Sequence, residues 1–202
     1  MTAGSFIEQC FQQSFALTEQ TAAKPLKRED SMQERHGLIT MGGNPLVLLG
    51  TEVQEGMKAP DFSCVDNDLQ EKRLSDFAGK IIILSSVPSL DTPVCDMETR
   101  RFNKEAEKMG DGVVILTIST DLPFAQKRWC GAAGVERVIT LSDHRDTSFG
   151  LAYGVLIKGL RLLARAVFIV DRDGMVRYRQ LVPEIAQEPD YDGVLDAAAK
   201  ML

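Results

Sequence analysis

Short apolar runs alternate along the chain with segments whose apolar residues recur at helical spacing. Two runs, Ile81 to Ser86 and Val113 to Ser119, are largely apolar, which is typical of strands buried on both faces of a sheet. The other predicted strands are Leu38 to Met41, Leu46 to Leu49, Phe62 to Val65, Val138 to Leu141, Ala166 to Asp171 and Met175 to Leu181. The predicted helices are Pro93 to Met109, Pro123 to Trp129 or Cys130, Thr147 to Tyr153 and Tyr191 to Leu202.

Turn-forming residues separate these elements. Gly42-Gly43-Asn44-Pro45 and Asp171-Arg172-Asp173-Gly174 each lie between two apolar runs, which predicts two β-hairpins. Gly131 is expected to end the helix that begins at Pro123. The order strand, helix, strand, helix, strand, hairpin and helix predicts a mixed sheet between helices, a three-layer α/β fold.

The N-terminal segment differs in composition from the rest of the chain. Phe6, Phe11 and Phe15 fall at helical spacing, whereas residues 23–30 are charged and interrupted by a proline. We therefore divide the chain into an extension, residues 1–37, weakly ordered or a short helix plus linker, and one domain, residues 38–202. Acidic residues and the lack of a long apolar run argue against a targeting or secretory peptide in the extension.

Composition excludes several classes of function. The 202 residues include 23 Lys and Arg and 29 Asp and Glu, a net charge of −6, which argues against a general nucleic-acid binder. With 44% apolar residues the chain has the composition of an ordinary globular protein. Its longest apolar runs are too short to span a bilayer, so no membrane partner is expected.

Four cysteines stand far apart in the sequence, at Cys10, Cys64, Cys95 and Cys130. None forms a Cys-x-x-Cys pair, so we expect neither a zinc site nor any other metal or cofactor. A chain of this length without a secretory signal is expected in the cytoplasm, where thiols are kept reduced. A disulfide here is therefore more consistent with catalysis than with structure.

The segment from Pro88 to Cys95 connects a predicted strand to a predicted helix. Proline is common at the first position of a helix. If the helix begins at Pro93, Thr92 is its N-cap and Cys95 lies in its first turn. Cys95 takes the position that Glu or Gln holds in a capping box, where a thiolate could replace the carboxylate. The alternative is that Cys95 only fills space in the core.

A reactive thiol at this position needs a nearby cation. An ordinary cysteine is only about 3% ionised at pH 7, and about 90% ionisation requires roughly 3.4 kcal/mol. A helix N-terminus supplies about 0.3–1 kcal/mol. The candidate cations are Arg100, Arg101 and Arg165. Arg165 interrupts an apolar strand and needs a buried partner, either this thiol or a structural carboxylate, whereas the other two are expected to be solvated.

Four motifs occur in an order that resembles one known family. They are Ser89 to Cys95, Asp121 to Cys130, Ala164 to Ala166, and Glu188 to Tyr191. From about Met32 onward the chain is similar to the bacterial thiol peroxidases, an atypical two-cysteine branch of the peroxiredoxins. The resemblance implies a thioredoxin-like three-layer fold with a mixed central sheet and an added N-terminal β-hairpin.

The resemblance also implies roles for individual residues. Cys95 would be the peroxidatic cysteine and Cys130 the resolving cysteine. Thr92 and Arg165 would orient the peroxide and stabilise the thiolate, and Pro88 and Pro93 would shape and shield the pocket. Cys64 matches neither role and is interpreted as a core or strand residue, and Cys10 as incidental.

The expected activity is reduction of hydrogen peroxide and organic hydroperoxides through a sulfenic acid and a Cys95–Cys130 disulfide. Thioredoxin is the expected reductant and a homodimer the expected assembly. A different class of protein, a peroxide-responsive sensor or regulatory binding protein, would use the same two cysteines. Repeated turnover with thioredoxin distinguishes the enzyme from the sensor.

Overall fold

A computed structural model describes residues 32–202 of the chain. The strands are β1 (Glu34–Met41), β2 (Asn44–Leu49), β3 (Ser63–Val65), β4 (Glu71–Arg73), β5 (Ile81–Ser86), β6 (Val113–Ser119), β7 (Ile139–Ser142), β8 (Leu156–Ile157), β9 (Ala166–Val170) and β10 (Val176–Leu181). The α-helices are α1 (Pro93–Met109), α2 (Pro123–Ala133), α3 (Ser148–Ala152) and α4 (Tyr191–Ala199), and Leu74–Phe77 forms a 3₁₀-helix. Within this part of the chain, no helix is both long and apolar enough to cross a bilayer.

Two sheets organise the described residues. Seven strands follow the order β10-β9-β5-β6-β7-β3-β4, and three form a smaller sheet in the order β1-β2-β8. The central strands β5, β6 and β7 pair in parallel, while β9 and β10 continue the sheet antiparallel beside β5. The carboxyl ends of the parallel strands therefore meet at one edge, where ligand sites of open α/β sheets lie.

Helices cover both faces of the large sheet. On one face, Phe102 of α1 and Val194 of α4 pack against Ile83 of β5 and Ile169 of β9 in a buried cluster. On the other face, an aromatic group includes α3: Phe149 stacks on Tyr153 with ring centroids 4.5 Å apart, and Tyr153 meets Phe168 edge-on at 5.1 Å. This arrangement confirms the three-layer α/β fold with a mixed sheet, and β1 and β2 form the added hairpin.

Most predicted elements are confirmed, and β5, β6 and α1 have the predicted bounds. The predicted end of α2 at Gly131 is wrong. The helix continues to Ala133, and Gly134 caps it with φ of 65° while its N–H donates to the carbonyl of Cys130. Only this second glycine adopts the left-handed conformation that terminates a helix, and Gly131 lies inside the last turn.

The first strand begins at Glu34, earlier than the predicted Leu38. Glu34 and Arg35 pair with Leu49 and Leu48, and the turn at Gly42 and Gly43 has positive φ at both residues. Residues 34–37, assigned above to the extension, thus lie in the small sheet. Residues 1–31, which include the predicted short helix and linker, lie outside the described part of the chain, so their assignment stays a prediction.

Candidate active site

The site lies where the chain passes from β5 to α1. After Ser86 the N–H of Val87 still donates to the carbonyl of Ile118 in β6, at 3.0 Å. The chain then turns, and α1 begins at Pro93 with Thr92 as its N-cap, in extended conformation (φ −104°, ψ 144°). Cys95 therefore lies in the first turn of α1, as predicted, and its side chain is completely buried.

Thr92 contacts the sulfur with its side chain. Its Oγ1 lies 2.8 Å from Cys95 Sγ and 2.9 Å from the carbonyl oxygen of Ser89. Because a hydroxyl has one proton, Thr92 donates to Ser89 when Cys95 is a thiol that donates to Oγ1, and donates to the sulfur when Cys95 is a thiolate. In a capping box the side chain at the position of Cys95 accepts from the N-cap N–H. Here the N–H of Thr92 donates to the carbonyl of Ser89 instead, so Cys95 has the position but not the hydrogen bond of that motif.

Arg165 approaches Cys95 from the strand side of the site. Its Nη2 donates to Cys95 Sγ at 3.2 Å, and both Nη2 and Nε donate to the carbonyl of Ile185, at 3.0 and 3.1 Å. The side chain is 1% exposed. Burial lowers the pKa of Arg165, but the charges of Glu98 and Cys95 outweigh burial and raise it, so the guanidinium stays charged. Of the three candidate arginines, Arg165 is the one whose guanidinium contacts the sulfur.

Glu98 belongs to the site, although the predicted site residues did not include it. It lies one helical turn after Cys95 and is fully buried; its Oε2 accepts from Arg165 Nη1 and its Oε1 accepts from Ser85 Oγ at 2.6 Å. Burial raises the pKa of Glu98, against the lowering effect of Arg165. The spacing Cys-x-x-Glu on an amphipathic helix was the available signal, since it places both side chains on the same face.

The other two candidate arginines lie on the outer face of α1. Arg100 pairs with Asp96 at 2.9 Å and donates to the carbonyl of Ala133 at 2.7 Å. The guanidinium of Arg101 lies over the Tyr191 ring at 4.2 Å. Both pair away from the sulfur, as expected for arginines on an exposed helix face.

Helix α2 meets α1 beside the reactive group. Trp129 Nε1 donates to Asp96 Oδ1 at 3.0 Å, and the Trp129 ring packs against the buried cluster of Val87, Leu90 and Cys95. The next residue, Cys130, has a different environment. Its Sγ lies 3.4 Å from Thr140 Oγ1 and 3.9 Å from Asn67 Nδ2.

Cys95 and Cys130 are both free thiols in this structure. Sequence reasoning missed both contacts of Cys130. Asn67 lies in the loop after β3 and Thr140 lies in β7, and neither element is adjacent to Cys130 in the sequence.

The two prolines differ in position. Pro93 is exposed and lines an open groove of about 290 Å³ together with Leu90, Asp91, Thr92, Asp96 and Trp129. Pro88 is buried in the loop after β5. Thr92 also lines this groove, and Pro88 does not. The pocket roles of the two prolines stay predictions.

Cys64 lies apart from this group, in β3. It is 1% exposed, and its Sγ is 3.6 Å from Asp143 Oδ1. Burial, aided by the neighbouring Asp143 carboxylate, raises the pKa of the Cys64 thiol, which keeps it protonated and unreactive. This environment fits its interpretation as a core residue of a strand.

Fold and site together define a class. The protein has a thioredoxin-like fold, a mixed sheet between helices. It carries a free, buried cysteine in the first turn of a helix, and a hydroxyl and a guanidinium contact the sulfur of this cysteine. A cation beside a cysteine at a helix start favours the thiolate, which is the nucleophilic form.

Comparison with known proteins narrows this class. The family model described as Redoxin matches residues 54–195. The thiol peroxidase of Bacillus subtilis (strain 168) is 55% identical over 164 residues, 81% of this chain and 98% of the relative. The thiol peroxidase of Staphylococcus aureus (strain MRSA252) is 55% identical over 159 residues, 79% of this chain and 96% of the relative. A crystal structure of a peroxiredoxin-like protein from Aquifex aeolicus matches with a TM-score of 0.77 at 42% identity, covering 83% of this chain and 99% of that chain.

The chain therefore belongs to the Redoxin family. Within the family it is a peroxiredoxin-type thiol peroxidase, an enzyme that reduces peroxides with a cysteine thiol.

Proposed function

We propose that Cys95 is the peroxidatic cysteine and Cys130 the resolving cysteine of a hydroperoxide reductase. The Cys95 thiolate attacks the terminal oxygen of ROOH; the O–O bond breaks, and a proton completes the alcohol or water that leaves. The sulfur is then a sulfenic acid. The Cys130 thiol attacks it, water leaves, and a Cys95–Cys130 disulfide forms. An external dithiol reduces this disulfide to two thiols and becomes a disulfide itself.

The observation that carries the proposal is the convergence of Arg165 and Thr92 on the Cys95 sulfur, at 3.2 and 2.8 Å. Two unit charges about 4 Å apart interact by about 4 kcal/mol at an effective dielectric constant near 20. A positive charge this close favours the thiolate form of the sulfur, and the helix start acts in the same direction. Donors fixed at the sulfur also stabilise the charge that develops on the peroxide oxygens.

Replacing the peroxidatic cysteine tests the first role. Cys95→Ser should abolish peroxide consumption driven by thioredoxin and its reductase, measured from NADPH oxidation. Cys64→Ala is the matched control, because Cys64 is a buried free thiol outside the site, and it should retain turnover. Turnover retained in the Cys95→Ser variant would contradict the assignment.

Replacing Cys130 tests the second role. Cys130→Ser should reduce one equivalent of peroxide and then stop cycling with thioredoxin. Mass spectrometry of the peroxide-treated natural chain should show a Cys95–Cys130 link. A link to another cysteine would move the resolving role, and a single slow oxidation without cycling would favour the peroxide sensor.

Replacing the arginine tests how the thiolate is stabilised. Arg165→Met should shift Cys95 alkylation by iodoacetamide toward higher pH and slow the peroxide step, because the positive charge at the sulfur is lost. Arg101→Met, which removes an outer-face arginine of α1, is the control and should leave both unchanged. An unaltered alkylation profile in Arg165→Met would remove Arg165 from the site.

We also propose thioredoxin as the reductant, hydrogen peroxide and organic hydroperoxides as substrates, a homodimer as the assembly and the cytoplasm as the location. The chain has no Cys-x-x-Cys of its own, so an external dithiol of low potential must recycle the disulfide. We expect thioredoxin, but not an equal concentration of glutathione, to reduce the oxidised protein. We expect light scattering to give the mass of a dimer.

A further inference from the structure

Asp121 lies between β6 and α2 and takes no direct part in the proposed chemistry. Its carboxylate is nevertheless fully engaged, because Oδ1 accepts from Ser89 Oγ at 2.8 Å and Oδ2 accepts from the N–H of Leu90 and from Ser119 Oγ, each at 2.8 Å. Two of these three donors belong to the loop between β5 and α1. One charged side chain thus fixes that loop to the end of β6.

A short chain of hydrogen bonds runs from Asp121 to the reactive sulfur. Asp121 holds Ser89 by its side chain, and the carbonyl of Ser89 accepts from the N–H of Thr92 at 3.1 Å in either state of Cys95 and, when Cys95 is a thiol, from Thr92 Oγ1 at 2.9 Å. The same Oγ1 meets Cys95 Sγ at 2.8 Å. Because Thr92 is exposed, its rotamer depends on these contacts rather than on packing.

In the other direction, Asp121 connects to the helix that carries Cys130. Ser119 Oγ, which donates to Asp121, accepts from Gln126 Nε2 of α2 at 2.9 Å. The carbonyl of Asp121 accepts from Ser142 Oγ of β7 at 2.5 Å. Asp121 therefore lies at the junction between the Cys95 loop and the Cys130 helix.

We propose that Asp121 is a positioning residue that holds the Cys95 loop in its peroxide-reactive conformation and must release Ser89 and Leu90 before the disulfide forms. The inference rests on the proposed roles of Cys95 and Cys130. Cys95 is held by Thr92 and Arg165, whereas Cys130 is held by Thr140 and Asn67, and both are free thiols, so linking the two sulfurs requires at least one cysteine to leave its contacts.

Loss of the carboxylate then has opposite effects on the two steps. Asp121→Asn keeps the shape but removes the charge: its amide oxygen can still accept from Leu90 N–H and Ser119 Oγ, and its NH₂ group donates to Ser89 Oγ, so charge-assisted hydrogen bonds become weaker neutral ones. Thr92 is held less well, and the reaction of Cys95 with peroxide slows about tenfold. The loop is released more easily, and disulfide formation accelerates by at least about threefold.

The two steps are measured separately. The first is the stopped-flow rate of hydrogen peroxide consumption in a Cys130→Ser background. The second is the rate at which the sulfenic acid becomes a disulfide in the full chain, followed by the fluorescence of Trp129, the single tryptophan, and checked by quenching with a thiol-alkylating reagent.

Asp171→Asn is the matched control, since Asp171 is likewise a carboxylate that holds neighbouring backbone, accepting from the N–H groups of Asp173 and Met175, but in a turn outside the site. Ser89→Ala, which removes only one of the three donors, should show the same pattern with smaller changes. It also keeps the test decisive if Asp121→Asn does not fold.

A slower first step with a faster second step, seen in the Asp121 and Ser89 variants and not in the control, supports the proposal. Any other pattern overturns it, including both steps slowed together with a lower unfolding free energy, as a purely structural role would give. Failure of the proposed function is distinct, because it appears in the natural chain as the absence of a Cys95–Cys130 disulfide.

Discussion

The guanidinium of Arg165 contacts two acidic partners, the Cys95 sulfur and the Glu98 carboxylate, and all three side chains are buried. Charges in such a place are expensive to bury and are tolerated only when paired and hydrogen-bonded. Glu98 and the carbonyl of Ile185 also hold the arginine, so its position does not depend on the Cys95 sulfur alone. The carboxylate thus stabilises the fold while competing with the thiolate for the same positive charge.

Neutralising Glu98 should separate these two effects. In Glu98→Gln the buried arginine loses its countercharge, so the unfolding free energy should fall by about 2–3 kcal/mol in urea titrations. Cys95 alkylation should shift to lower pH, because a negative charge near the sulfur is gone. Glu107→Gln, an exposed change on the same helix, is the control and should stay within about 0.5 kcal/mol. An unchanged alkylation profile would mean that Glu98 does not compete with the sulfur.

At the residue scale, the sequence predicted those site members whose placement is local. Thr92 and Cys95 follow from one proline at a helix start. The charge of Arg165 in an apolar segment left open whether it meets the thiol or a carboxylate, and the structure shows that it meets both. Asn67 and Thr140 could not be predicted, because their proximity to Cys130 depends on how β3 and β7 pair. A carbonyl acceptor such as Ile185 leaves no mark in the sequence, since every residue has one.

At the level of elements, the end of α2 shows how two glycines in one segment differ. Gly131 lies inside the helix, whereas Gly134 follows its last residue and adopts the left-handed conformation, with φ of 65°. A Cβ at either position would meet no atom within 4 Å, so backbone conformation alone distinguishes them. Sequence reasoning chose the first glycine because composition does not reveal φ.

Alanine substitutions should reveal this difference. Gly131→Ala should raise the unfolding free energy by about 0.5–1 kcal/mol, because alanine favours a helix interior. Gly134→Ala should lower it by about 1–2 kcal/mol, because alanine is strained at positive φ. Chemical denaturation of the two variants makes the comparison, with each glycine serving as the other's control. Equal effects would contradict the observed helix end.

The short helix α3 depends on a buried carboxylate. Asp143 accepts from the N–H groups of Phe149 and Gly150 at 3.0 and 2.8 Å, and burial raises its pKa to about 6. An unfolded aspartate titrates near 3.9, so between about pH 4 and 6 the folded state binds more protons than the unfolded state. The stability supplied by this proton is complete below about pH 4 and is lost as pH rises through about 6.

This linkage predicts a pH-dependent difference between the natural chain and Asp143→Asn. From pH 5 to pH 7.5 the unfolding free energy of the natural chain should fall relative to that of the variant, which has no proton to lose at this position. Urea titrations at the two pH values measure the change. A difference between the two proteins that does not vary with pH would show that Asp143 is already ionised at pH 5.

On the scale of the whole molecule, the large sheet is the fixed frame and the proposed redox chemistry takes place at its edge. Apolar runs predicted the central strands and the layer order well, because burial on both faces requires nearly continuous apolar sequence. The short strands β4 and β8, of three and two residues, were missed. Their residues pair because neighbouring strands are already in place, which no local pattern records.

Disulfide formation should therefore disturb the edge and leave the frame intact. We expect faster amide hydrogen exchange in residues 89–96 and 124–131 after oxidation by one equivalent of peroxide, because the contacts that hold both sulfurs are broken. Exchange at Ile115 in β6 should stay slow. The Cys130→Ser variant, treated identically, should show the change in neither segment. Equal exchange of the reduced and oxidised natural chain would contradict a local rearrangement.

The anchoring of Arg165 on the carbonyl of Ile185 has a consequence for how such enzymes diverge. A main-chain oxygen is supplied by any amino acid, so the identity of position 185 can drift during evolution while its path through space is preserved. Insertions or deletions near that position, rather than substitutions, are the changes that would displace the arginine. In protein engineering, loop length around residue 185 deserves more protection than its side chain.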